Sequence, residues 1–518
     1  MVNGLYIGKN ALIVNQAALS VVSNNIANAN TEGYSKQRVN LTSLSAHANT
    51  SSVIQQAKLG YGVDIESISR YRDDFVDANY RAAVSNKSYY DTINSNGIIL
   101  ENLSNEFTGS GLSTHLNNFF TATNNISLYP TDITMKTDFV QQGSNLANAI
   151  RELYANLKNA RTDLVGDVKN PITLENSQIK FCADDINQLL SDIAKVNETI
   201  IYQHNTNVGA SAGLLDKRDA LLDELSQYIP ITTESNPNGS INVSLGKTQL
   251  VGGSQAKGFF KVGLGDENNP AIVSFETDSG YVYESNVKDL VGQAGKLGAI
   301  LTLGSDSTTE LTVKSMMDNL NQLAQGIAKE VNALQMRSEG GNPTMRAAYY
   351  NPDTGKLNIT GDRIFVSQDY IFGEVTAENI SFNKNLTEHP EKIATALVAL
   401  EDDGYTIANP DEIGNNTIAQ KMVDLREKAI KELGGQTIED FNTAITTEFG
   451  AKLNSAKSNL ETHEAVYDAS FNQRESTIGV NIEEELVDLV KFQRAYESSA
   501  RVFTVATEIL ETLVNLAR

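Results

Sequence analysis

Asp216, Arg218, Asp219 and Glu224 crowd one short stretch of this chain and could do acid–base chemistry. Clustered carboxylates beside a guanidinium can act as general acid and base, each tuning the other's pKa. On a helix Asp216 and Asp219 share a face, and Arg218 reaches Asp219 only by curling locally. With no nucleophile or metal cluster nearby, the pattern predicts capping and surface ion pairs, and no enzyme activity.

Other candidate sets fail sooner. His47, His115, His204, His389 and His463 lie in separate segments without metal-ligand spacing, and Cys182 has no second thiol to pair with. Cys182 falls in a helical pattern and reads as inert packing. Leu245-Gly246-Lys247-Thr248 ends like a phosphate loop, but Ile241 takes the place of its first glycine and no helix follows, so a hairpin is expected. Glu401-Asp402-Asp403-Gly404 lacks the alternating ligands of a calcium loop and reads as a solvated turn. No catalytic, cofactor-binding or metal-binding residue is therefore expected.

The elements around these residues are more informative. From Ile482 an apolar residue returns every seventh position, at Leu489, Tyr496, Phe503, Leu510 and Ala517, and Leu486, Ala500 and Val514 join that face. The run from Glu483 lacks Gly and Pro and would make a helix roughly 50 Å long. Val487, Val502, Val505, Ile509 and Leu516 project from the roughly opposite side, with charges between the two faces that exclude a membrane span. A helix apolar on two sides belongs among several others, some of them from other copies. At the other end Leu5, Leu12, Leu19 and Ile26 repeat the spacing, and Ile7, Val14 and Val21 form a second stripe. The termini are thus expected to pair as a coiled coil, parallel or antiparallel. Stripes such as Ile7, Val14 and Val21 would stay uncovered in a lone chain, so the ends should become ordered only on assembly.

The rest reads as a mainly α, elongated, multi-domain chain with β excursions. Residues 1–69 hold the N-terminal helix and an extended connection with strands near 38–41 and 63–68, rich in Ser, Thr and Asn. Residues 70–230 read as a helical bundle, with long helices to near Phe107, from Ile133 past Leu164, and through Ile179, Ile186, Leu189 and Ile193. Alternation at Ile241, Val243 and Leu245 marks a β excursion over 231–300. A bundle helix returns over 301–341, starting at Thr312 and stopping near Gly340-Gly341. Residues 342–410 read as a β-rich outer domain, opened by the turn chemistry of Asn351-Pro352-Asp353-Thr354-Gly355. Helices over 411–478 lead back beside the first ones, and 479–518 is the C-terminal helix. With 518 residues the chain can bury several cores, and its net charge of -23 argues against nucleic acid as a partner. The start lacks a basic n-region, and Lys9, Asn10, Asn15 and Gln16 interrupt any apolar core of a cleaved signal, so neither a cleaved signal nor membrane insertion is expected.

Ser23-Asn24-Asn25-Ile26-Ala27-Asn28, followed by Thr31 and Gly33-Tyr34, resembles the N-terminal signature of bacterial flagellar axial proteins: rod, hook and hook-associated proteins. The run Gly479-Val480-Asn481-Ile482-Glu483-Glu484-Glu485-Leu486, then Phe492-Gln493-Arg494-Ala495-Tyr496, is similar to the hook-associated protein 1 family. So are Arg70, Arg72, Asp73, Asp74 and Phe75, and the stretch from Leu214 to Leu221. The resemblance implies a non-enzymatic subunit of the hook–filament junction. Its expected partners are copies of itself, the hook protein, the second hook-associated protein and a cytoplasmic export chaperone on its C-terminal helix. It further implies uncleaved export by the flagellar type III route to the extracellular flagellum. The assembly interface is then expected at Leu5, Leu12, Leu19, Ile26, Asn28, Thr31, Gly33, Tyr34, Ile482, Leu486, Leu489, Tyr496, Phe503 and Leu510. A hook or distal-rod protein would share the first signature without the whole C-terminal run. A flagellum-associated enzyme would need a positioned acid or nucleophile.

Overall fold

The computed structural model describes residues 2–31, 33–44, 62–104, 111–206, 211–277, 280–284, 286–307, 309–336, 345–368, 373–403 and 406–516. Ala517 of the heptad, the Gly340-Gly341 stop, Gly404 and the centre of the 33–69 connection lie outside the described residues.

Helix α1 (Val2–Ala27) is followed by β1 (Gln37–Ser43) and β2 (Val63–Arg70), an antiparallel pair with Val39 opposite Ile68 and Leu41 opposite Ile65. The bundle opens with α2 (Asp74–Ser104), α3 (Leu112–Leu128), α4 (Ile133–Val165), α5 (Ile172–Glu175), α6 (Gln178–Asn205) and α7 (Ala212–Tyr228). Strands β3 (Thr232–Ser235), β4 (Ile241–Leu245), β5 (Thr248–Gly252) and β6 (Gln255–Ala256) form one sheet in chain order, and β7 (Phe259–Leu264), β8 (Ala271–Glu276) and β9 (Val282–Glu284) form another. Then come α8 (Lys288–Val291), α9 (Gly295–Gly304) and α10 (Val313–Gln335). Strands β10 (Met345–Asn351), β11 (Lys356–Ile359), β12 (Phe365–Ser367) and β13 (Ile380–Phe382), helix α11 (Lys384–Glu388) and strand β14 (Ala396–Ala399) follow. They give a sheet ordered β11-β10-β14 and a separate β12-β13 pair. Helices α12 (Thr417–Asp424), α13 (Ile438–Ile478) and α14 (Ile482–Leu516) close the chain.

Local chemistry sets the helix starts. Asp132 accepts from the Thr134 amide, Thr312 from Ser315 and Thr437 from Asp440, each satisfying a donor that the first turn leaves open. The 41 residues of α13 make a rod about 60 Å long.

Packing divides the bundle into two large cores that share α4 and α10. One joins α2, α6, α7 and α9 to the sheets of β3–β6 and β7–β9, and the other joins α3, α12 and the start of α13 to the segment after α10. Helix α9, inside the expected β excursion, is buried along its length. Its run from Leu297 to Leu303, apolar except for Thr302, carries no period, so pattern alone could not tell it from a buried strand. Helix α3 likewise has no counterpart in the sequence reading, although Leu112, Leu116, Phe119, Phe120 and Ile126 are buried.

The segment expected as an outer domain over 342–410 is β-rich but does not stand apart. Ile364, Phe365, Ile380 and Phe382 sit in the same core as α3, α4 and α10. Asn332 of α10 accepts from the amides of Ile364 at 2.8 Å and Phe365 at 3.0 Å and donates to the Phe365 carbonyl at 2.6 Å. Lys136 of α4, itself buried, donates to the carbonyls of Glu391 at 2.9 Å and Ile393 at 3.0 Å, and burial pulls its pKa down to about 8. The insertion is too short to enclose a sizeable core alone, so its apolar residues complete that of the bundle.

Phe365→Ala should therefore cost the bundle about 3–5 kcal/mol, as large aromatic truncations do. Denaturant unfolding followed by far-UV circular dichroism checks this; an unchanged main transition beside an early minor one would mean that the segment folds apart.

Candidate assembly interface

The terminal helices α1 and α14 lie antiparallel. Asn15 Nδ2 donates to Ser499 Oγ at 3.3 Å, Asn25 Nδ2 donates to Glu485 Oε2 at 2.9 Å, and Gly8 meets Phe503. A Cβ at position 8 would lie 3.2 Å from the Phe503 Cα, so glycine is what lets the two backbones come this close. On α14 the covered side runs through Glu485, Phe492, Ser499 and Ala506, with Leu489, Phe503 and Leu510 half-buried beside it. Tyr496 lies at the margin, while Ile482 and Leu486, at 43% and 48% exposed, face outward. The contact line is thus rotated from the apolar heptad toward polar residues that hydrogen-bond across it. On α1 Leu5, Leu12, Leu19 and Ile26 are half-buried. The stripe expected to be uncovered is instead the better protected one: Val14 and Val21 are buried, and Gly62 packs on Ile7. The β1–β2 pair supplies this cover, a partner that a helix-only reading of the ends left out.

The turn after α1 is built from its own side chains. Asn28 Nδ2 donates to the Asn24 carbonyl at 2.9 Å, Thr31 Oγ1 donates to Asn28 Oδ1 at 3.3 Å, and Gly33 takes a φ of +76° that other residues resist. Tyr34 donates its hydroxyl to Asn25 Oδ1 at 2.8 Å. Asn25, absent from the predicted interface, is the centre: buried, it also exchanges two 3.0 Å bonds with the backbone of Gln37 and donates to Glu485. Its two donors and its acceptor oxygen are all used, which no aliphatic residue could do. Lys36 adds ion pairs at 3.2 Å to both Glu484 and Glu485; burial pulls its pKa down, but those bonds outweigh it and hold the ammonium above its usual range.

Asp216 and Asp219 do not form the expected surface ion pairs, because both are largely enclosed. They belong to a buried cluster of five guanidinium groups and four carboxylates. Arg70 reaches Asp216 at 2.6 Å and Asp219 at 2.9 Å, and Arg72 reaches Asp219 at 3.1 Å and Asp77 at 3.0 Å. Arg474 bridges Asp77 at 3.0 Å and Asp223 at 2.6 Å, and Arg81 reaches Asp223 at 2.8 Å. Ser35 donates to Asp216 at 2.8 Å, and Arg218 turns to the Gly239 carbonyl at 2.8 Å. Glu224 is exposed and takes no part in the cluster. The partners come from four distant segments, so spacing along the sequence could not reveal them. Burial pushes the Asp219 carboxyl up, but Arg72, Arg70, Arg218 and Arg81 outweigh it and hold it below the usual range. At Asp77 burial wins over Arg72, Arg474 and Arg81, and the pKa is raised. Each of the four carboxylates is engaged by at least one guanidinium, so the cluster is suited to holding chain segments in place.

Elsewhere Gly246 and Lys247 form the turn between β4 and β5. Cys182 is buried, which pushes its thiol up to about 12 and keeps it unreactive. Among the described residues no group of His, Cys, Asp and Glu could hold a metal, and no helix is long and apolar enough to cross a membrane.

Known proteins resemble this chain in sequence and fold. Residues 99–340 match the family model described as flagellar hook-associated protein FlgK helical domain. Residues 5–34 match that of flagella basal body rod protein, and 474–516 that of flagellar basal body rod FlgEFG protein C-terminal. The chain thus matches models of bacterial flagellar axial proteins at both ends and through its middle. Within that class its end-to-end kinship is with flagellar hook-associated protein 1. The Bacillus subtilis (strain 168) protein of that name is 25% identical, with 99% of this chain and 97% of that protein covered. That of Escherichia coli (strain K12) is 24% identical, with 100% and 99% covered. The flagellar hook junction protein FlgK from Burkholderia pseudomallei shares the fold, with a TM-score of 0.57 at 13% identity over 77% of this chain and 100% of that one.

Two predictions follow from the geometry. Asp219→Asn should cost about 3–5 kcal/mol by leaving buried guanidiniums unpaired. Because its folded pKa is lowered, Asp219 contributes fully above its unfolded pKa of about 3.9 and loses that contribution as the pH falls through the folded value. Asp77, with its raised value, has the opposite sign, so Asp219→Asn should flatten and Asp77→Asn steepen the loss of stability in acid, read by denaturant unfolding across pH. Gly8→Val should cost about 1–3 kcal/mol by overpacking. Amide exchange should then show α1 and α14 losing protection while α4 and α6 keep theirs.

Proposed function

We propose that this chain is the structural, non-enzymatic subunit that joins hook to filament and assembles with copies of itself through its terminal helices. The observation that carries this reading is the end-to-end match to flagellar hook-associated protein 1 in a chain whose termini form one antiparallel pair. In this reading Leu5, Leu12, Leu19, Ile26, Leu489, Tyr496, Phe503 and Leu510 hold the pair together, while Asn28, Thr31, Gly33 and Tyr34 shape its base. Contact between copies falls to the side of α14 turned away from α1, where Val487, Val502 and Val505 are 69%, 52% and 52% exposed and Ile482, Leu486 and Ile509 are also open. So much apolar side chain in solvent suits a surface that is covered later. The hook protein and the second hook-associated protein are its neighbours in the junction. A cytoplasmic chaperone shields α14 before uncleaved type III export to the cell exterior.

Two substitutions separate the faces of α14. Phe503→Asp places a carboxylate against Gly8 and should open the pair itself, lowering helicity and amide protection at both termini. Val505→Glu should leave the isolated protein unchanged by circular dichroism and still be exported, yet fail to build junctions, so that filament subunits appear in the medium. Normal junctions built from exported Val505→Glu protein would show that this side of α14 is not the contact between copies.

A further inference from the structure

Among the described residues, α1, β1, β2 and α14 pack extensively only on one another, and none of their side chains belongs to the hydrophobic cores of the bundle. A cleft of about 900 Å³ separates the 28–34 turn from Tyr80 and Lys87 of α2 and from Tyr467 and Phe471 of α13. Apolar packing, the usual means of fixing one body against another, is thus largely missing where the terminal pair meets the bundle. What remains is polar and directional. Arg70, at the end of β2, reaches Asp216 and Asp219 of α7, and Ser35 donates to Asp216. Arg72, in the link to α2, reaches Asp219 and Asp77. The Lys36 amide donates to the Ile478 carbonyl at 2.9 Å, and the Tyr71 amide donates to the Lys36 carbonyl at 2.8 Å, so the two chain crossings, after β2 and after α13, are tied side by side through the turn between α1 and β1.

We infer that Arg70, Arg72 and Ser35, seated on the carboxylates of Asp216, Asp219 and Asp77, are an electrostatic lock that sets the angle between the terminal pair and the bundle. Hydrophobic contact tolerates sliding, whereas guanidinium–carboxylate pairs fix direction as well as distance. Burying the charges makes that geometry hard to abandon, because any other angle leaves one of them unpaired. Asp216 is the specific element, since among the described residues it pairs with Arg70 and bonds to Ser35, both on the terminal side. The bundle has its own pairs, Arg474 with Asp77 and Arg81 with Asp223, which do not involve Arg70.

The test uses full-length protein in a Cys182→Ala background, spin-labelled through Ser498→Cys on α14 and Glu198→Cys on α6, both exposed positions. Pulsed electron resonance should give one narrow distance with the lock intact. With Asp216→Asn, and more so with Arg70→Met and Ser35→Ala together, the distribution should broaden severalfold while the thermal transition of the bundle stays in place. A distribution as narrow as in the parent protein would overturn the inference, and so would a broad one in the parent itself. Loss of the bundle's transition in Asp216→Asn would also overturn it, because that carboxylate would then be holding the bundle together.

Discussion

The carboxylate of Asp219 lies out of solvent with Arg70, Arg72, Arg81 and Arg218 around it, and much of the molecule is arranged to make that tolerable. An isolated buried carboxylate is far costlier than one in water, and a buried guanidinium is no better off. Four acids and five arginines reduce the cost only if each stands within reach of the others. That requires the end of β2, the start of α2, the whole of α7 and the last turns of α13 to converge. Any one of these elements displaced leaves an unpaired charge, so the cluster defines one arrangement of segments that are far apart in the chain.

The terminal pair obeys a different constraint. Its helices are held by close approach at Gly8 and by polar contacts at Asn15, Asn25 and Glu485, with the β1–β2 strands covering the remaining side of α1. A two-stranded ribbon is marginal alone, and a lone amphipathic helix is little better. Together they form a three-part unit that is stable on one side. The other side of α14 stays apolar and open, the condition expected of an element whose burial is completed by a neighbour.

The bundle supplies stiffness. Helices α4 and α10 pass through both of its cores, so the two halves cannot shift independently without bending a continuous helix. The segment after α10 is pinned by Asn332, Gln335 and Lys136, side chains whose polar groups substitute for backbone partners that its short strands lack. Rigid rods joined to a terminal unit by directional charges are suited to a subunit that must hold its shape while stacked on others.

Periodicity alone carried the long helices, because a stripe at helical spacing has one physical outcome once water is excluded from it. Thr312 and Thr437 start α10 and α13 by chemistry that is local and therefore visible in a single stretch of residues. The axial-protein resemblance of both ends was legible for the same reason, resting on contiguous runs. Tertiary structure alone decided the rest. Helix α9 is buried on nearly every side and has no period to read; the rotation of the α14 contact line depends on Asn25 and Ser499 bonds across the pair; the cover over Val14 comes from strands beyond the helix. Asp216 and Asp219 looked like surface acids because most of their counter-ions, Arg70, Arg72 and Arg81, are encoded well over a hundred residues earlier in the chain. A charge is costly or harmless according to what stands within a few ångströms of it, and that neighbourhood exists only after the chain has folded.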